Sequence, residues 1–152
     1  MHQTAALFLL LFLTVSCGES PLWNHRIEGK NFLTNPQLAE SEAVSFKKAK
    51  FSFALSWQEG PQMGASRFLI RAWNQSSGSI NGPYQDFPKT LNVFLWMPAM
   101  GHGSAPVKLK RLDDGEYEVS EVQFIMGGKW EIKFQLKDGS QVFDEAVVTV
   151  TL

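Results

Sequence analysis

One cysteine, Cys17, stands in 152 residues, so no disulfide can form within the chain. Histidine is nearly as scarce, with only His2, His25 and His102. No GxSxG, HExxH or glycine-rich phosphate loop occurs, and the constellations for acyl, metal-hydrolytic or phosphoryl chemistry are therefore missing; the chain reads as non-enzymatic. Asp113, Asp114, Asp144 and Glu145 read as turn and surface carboxylates. Excess charge is lacking too. Fourteen Lys and Arg against 15 Asp and Glu leave a formal −1, with none of the basic surplus that displaces counterions from a phosphate backbone, so nucleic acid is not an expected partner. No stretch of ten or more residues carries a helical apolar stripe, which leaves strands to build the core.

Long hydrophobic runs are confined to the beginning. Residues 1–17 contain no Asp, Glu, Lys or Arg, and Ala5 to Ser16 form an apolar or small run of twelve. That is too short to span a bilayer and fits the apolar centre of a secretory signal, so residues 1–16 are expected to be removed. The lone cysteine follows directly. LTVSC resembles the bacterial lipoprotein box, which implies that Cys17 is acylated and becomes the mature N-terminus; two or more buried acyl chains suffice for stable anchoring. Gly18 in the next position implies the outer membrane, placing the protein on its periplasmic face.

Residues 17–45 mix Gly, Pro, Asn and charges without sustained periodicity and read as a lipidated N-terminus and tether, with local packing through Trp23, Phe32 and Leu33. His25 lies in this polar stretch and reads as solvated. From residue 46 the pattern is that of one folded domain. FSFALSW puts Phe51, Phe53, Leu55 and Trp57 on one face at period two. RFLIRAWN is a second strand whose inward face is open between Phe68, Ile70 and Ala72 and Leu69, Arg71 and Trp73. After the loop 75–89 come LNVFLWM, VKLKRL, EYEVSEVQFI, KWEIKFQL and VFDEAVVTVTL, separated by MPAMGHG, DDG, MGG and KDGS. About seven short strands with Gly, Pro and Asp turns predict an all-β antiparallel sandwich; the same pattern also allows a small barrel.

If successive strands run antiparallel, the first, third and fifth connections share one end. They contain Met63, then Met97, Met100 and His102, then Met126, every methionine beyond Met1. In Met97-Pro98-Ala99-Met100 the proline suits the second position of a β-turn that draws the flanking Cα atoms within ~7 Å, and Gly101 and Gly103 leave room around His102. Thioethers with an imidazole form a soft donor set suited to Cu(I) and poorly to Mg(II) or Zn(II). Met97, Met100 and His102 are the candidate ligands, with Met126 or Met63 completing the set. Trp96 could cover such an ion, or serve as a plain packing aromatic. The competing reading is a structural or protein-interaction module, in which the loop is a tight turn whose methionines dock on a partner or plug the sandwich end.

MPAMGHG followed by DDGEYEVSEVQFIMGGKWEIKFQL resembles the YtkA-like family, a relative of FixH-like domains, over residues 51–152. The matching positions are Met97, Pro98, Met100, His102 and Gly103, then Gly115 with Tyr117, and Gly128 with Trp130. The resemblance implies an extracytoplasmic immunoglobulin-like sandwich associated with copper handling or oxidase maturation, a copper-handling or oxidase-assembly protein as partner, and core roles for Tyr117 and Trp130.

Overall fold

A computed structural model describes residues 42–152. The expected signal, Cys17 and the tether as far as residue 41 lie outside the described residues. Among the described residues, nine antiparallel strands form two sheets. The first runs β1 (Val44–Phe46), β2 (Phe51–Glu59), β3 (Gly64–Asn74), β7 (Glu116–Phe124), β6 (Lys108–Asp113) in spatial order; the second runs β5 (His102–Gly103), β4 (Thr90–Met97), β8 (Lys129–Asp138), β9 (Gln141–Thr151). Without the two shortest strands, the order β2-β3-β7-β6 against β4-β8-β9 is that of the seven-stranded immunoglobulin sandwich. The sandwich expectation therefore stands and the barrel alternative does not. The count exceeds seven because β1 and β5 are too short for periodicity to announce, and β1 begins inside the stretch read as tether.

Alternation builds the core. In β8, Trp130, Ile132, Phe134 and Leu136 are all fully buried, while Glu131, Lys133 and Gln135 point the other way. Leu91, Val93, Leu95 and Met97 do the same on β4. On β3 the inward face is Phe68, Ile70 and Ala72. From the facing sheet, Phe53 meets Phe134 with ring centroids 4.7 Å apart. Burial of each such side chain stabilises the fold by ~1.5–3 kcal/mol.

Strand β7 breaks period two, because Val119 and Val122 both face inward. Ser66 pairs with Val122 and Phe68 with Val119, so β7 carries one extra residue there, and Glu121 absorbs it at φ 56°. Such a bulge shifts the parity of everything after it, which turns Phe124 into the core.

The crossover 75–89 passes between the sheets at the end opposite the methionine loops. Phe87 enters the core there against Phe46, Phe51, Phe53 and Tyr117. Gln85 N donates to Ala72 O, and Ala72 N donates to Gly115 O. Gly115 sits at φ 66°, and a Cβ on it would lie 2.4 Å from Gln85 N, so the hairpin between β6 and β7 fits under the crossover only with glycine at this position.

Candidate metal centre

Strand pairing brings the three methionine-bearing connections to one end. Gly64 pairs with Phe124, which sets the β2–β3 hairpin and its Met63 beside the β7–β8 connection with Met126; Trp96 pairs with Glu131, which sets the end of β4 beside the same connection. The expected sharing of one end by alternate loops holds.

The individual residues differ in their surroundings. Met97 is the last residue of β4, in phase with Leu91, Val93 and Leu95, and is only 5 % exposed. Its methyl carbon lies so close to Gly128 that a Cβ there would stand 2.7 Å away. Gly128 has φ 124°, a backbone state other residues rarely adopt, so a glycine fits both the turn and the methionine. Met97 O accepts from Met100 N at 3.1 Å and Gly101 N at 3.0 Å, closing the turn Pro98–Gly101. Met100, on that turn, is 57 % exposed, and Met63 is 56 % exposed. Met126 is half-buried against the core.

His102 is the Cα partner of Met97 across β4 and β5. Directly paired antiparallel residues project from the same face, so thioether and imidazole leave the hairpin together. The His102 ring is half-buried, T-shaped against Trp130 at 6.4 Å between centroids. Its Nδ1 lies 2.9 Å from Gly103 O. A carbonyl only accepts, so Nδ1 carries the hydrogen, and in the neutral ring the lone pair is then on Nε2, the arrangement that orients a metal-binding imidazole. Trp130 ties in the third connection, its indole N–H donating to Met126 O at 2.9 Å.

Met97, His102, Met126 and Trp130 thus gather at one corner, with Met100 on the turn beside them. Met63 shares the end, exposed on the β2–β3 hairpin. Trp96 pairs with Gly103 and stands half-exposed on the outer face of its sheet, opposite to Met97 and His102, which favours its packing role over that of a cap. Trp130 is a core aromatic. Tyr117 is half-buried, stacks on Phe87 at 5.6 Å and keeps its hydroxyl at the surface network described next.

A polar cluster that the sequence did not advertise lies at the opposite end. The Asp86 carboxylate accepts from Arg111 Nε at 2.9 and 3.0 Å, Gly115 N at 2.9 Å and the Tyr117 hydroxyl at 2.8 Å. The Arg111 hydrogen bond is the main reason its pKa falls to about 2, with Gly115 N–H and Tyr117 O–H adding to it. Burial, then the Asp86 contact, pushes the Tyr117 hydroxyl up to about 12. Arg111 also pairs with Asp114. The partners are 25 to 31 residues from Asp86 in sequence, and only the crossover brings them together. These hydrogen bonds fasten the crossover onto the β6–β7 hairpin.

Among the described residues no group of three or more His, Cys, Asp or Glu is placed to hold a metal ion, so a hard-ligand site has no support there. The remaining candidate is the soft set of thioethers and one imidazole, and its chemistry fits Cu(I): an oriented Nε2, a thioether on the same hairpin face, and a glycine cradle for that thioether's methyl. Residues 86–135 match the model of the YtkA-like family. The match spans the Asp86 cluster, the Met97–His102 hairpin, Met126 and Trp130, and is narrower than the resemblance read from the sequence; Met63 and Cys17 fall outside it. No curated protein and no solved structure matches the chain.

Proposed function

We propose that this chain, YtkA-like across residues 86–135, is an extracytoplasmic β-sandwich that binds Cu(I) as cargo at the corner formed by Met97, His102, Met126 and Met100. The observation that carries the reading is the Met97–His102 register pair with His102 Nδ1 tied to Gly103 O, which leaves one thioether and one imidazole lone pair on the same face of one hairpin. Neutral thioether donors hold a soft monovalent ion without competing for protons. The protein's role is binding and positioning, with no bond-making step of its own.

Acylation of Cys17 would tether the domain to the periplasmic face of the outer membrane, within reach of a copper-handling or oxidase-assembly protein. The alternative is a module that binds a protein partner and no metal. The burial of Met97 among core residues favours it, because a flexible thioether is a good filler for a sandwich end.

Competition for Cu(I) against bicinchoninate separates the two. Wild type is expected to withdraw the ion from the chelator, and Met97→Ala and His102→Ala to bind at least about tenfold more weakly, each about 1.4 kcal/mol or more. A wild type that cannot compete supports the metal-free module.

A further inference from the structure

Resting on the Cu(I) reading, we infer that Met100 is the exchange ligand of the site: the thioether through which the ion passes to an acceptor with soft donors, while Met97 and His102 hold it. The observation is an asymmetry of exposure within one turn. Met97 is 5 % exposed and its methyl lies against Gly128, so it offers an incoming ligand far less room than an exposed side chain does. Met100 is three residues away and 57 % exposed. Pro98, Ala99 and Gly101 around it are exposed as well, and nothing stands within 4 Å of the position a Cβ would take on Gly101. The turn is nevertheless fixed to the site, since Met100 N and Gly101 N both donate to Met97 O.

A fixed turn with an open side chain suits association before dissociation. As the acceptor's donor atom bonds to copper, the bond from copper to Met100 Sδ breaks; the ion stays Cu(I), and no electron or proton moves. A ligand shared with solvent adds little to affinity and much to the rate at which the ion changes hands, whereas loss of a buried ligand does the reverse. The same turn supports both roles because Met97 ends the strand and Met100 lies outside it.

Full-length protein loaded with Cu(I) is mixed with rising concentrations of bicinchoninate, and the coloured complex is followed by stopped flow. For wild type the transfer rate is expected to rise with chelator concentration. Met100→Ala is expected to deliver about tenfold more slowly while its equilibrium affinity stays within about threefold of wild type. Ile125→Ala, which removes another exposed apolar side chain at that end without a donor atom, is expected to deliver at the wild-type rate. A Met100→Ala protein that delivers as fast as wild type, or a wild-type rate independent of chelator concentration, overturns the inference and leaves the binding reading intact. A wild type that takes up no Cu(I) removes both.

Discussion

Met97 and His102 are Cα partners across the shortest strand pair of the sandwich, one with its side chain in the core and the other half-buried beside it. The hydrophobic period that buries Leu91, Val93 and Leu95 therefore delivers a thioether to the same face as the one histidine of the described residues. The core and the candidate centre are consecutive positions of one pattern, which is why changes to either should be felt in both.

Trp130 tests the packing. It is fully buried, lies T-shaped against Phe124 at 5.7 Å, and donates its indole N–H to Met126 O. Trp130→Ala is expected to cost about 3–5 kcal/mol of stability in chemical denaturation. A loss below about 1 kcal/mol, typical of a surface site, would contradict its place in the core.

Asp86 and Tyr117 each add a pH-dependent contribution to the fold. The Asp86 carboxylate is held at about 2, below the ordinary 3.8, so it stabilises the fold above pH ~4 and that contribution is lost as pH falls toward 2. Because this side chain is 42 % exposed, solvent screening limits its worth to about 1 kcal/mol. Tyr117, raised from 10 to about 12, contributes fully below pH 10 and loses its contribution as pH rises toward 12. Thermal melts across pH should show Asp86→Asn with a flatter acid limb than wild type; identical limbs would remove Asp86 from the account.

Gly128 couples the turn to Met97. Gly128→Ala places a methyl 2.7 Å from the Met97 methyl and forces φ 124° on a residue that disfavours it. The expected cost is about 1–3 kcal/mol in denaturation, with weaker Cu(I) competition than wild type. An unchanged affinity in a folded Gly128→Ala protein would mean that the position of Met97 does not matter to the ion.

Cys17 is expected to carry the membrane anchor. Cys17→Ser should release the protein from the membrane fraction and abolish incorporation of labelled fatty acid, since at least two acyl chains are needed for stable attachment. A wild type that takes up no label and fractionates as soluble contradicts the anchor.

Much of the fold was legible because period two is strong where both sheets cover a strand: Trp130 to Leu136 announces β8 and its inward face without ambiguity. The bulge at Glu121 was not, since one left-handed residue flips the parity between Val119 and Val122 and no pattern marks it. Trp73 hides its burial for another reason. It lies on the face of β3 opposite to Ile70 and Ala72, where a Cβ on Gly78 of the crossover would come 2.8 Å from Trp73 Cβ. The gathering of Met63, Met97, Met100 and Met126 at one end followed from antiparallel order alone. Their unequal exposure did not, because it depends on where β4 stops and its turn begins. The Asp86 cluster was invisible, being assembled across 31 residues by a loop whose path composition does not encode.

X-ray absorption at the copper edge of Cu(I)-loaded protein tests the central claim most directly. The account predicts a first shell of sulfur with one imidazole nitrogen in wild type, loss of the nitrogen in His102→Ala, and fewer sulfurs in Met97→Ala. A shell of oxygen and nitrogen alone, or a spectrum that neither substitution changes, would contradict it.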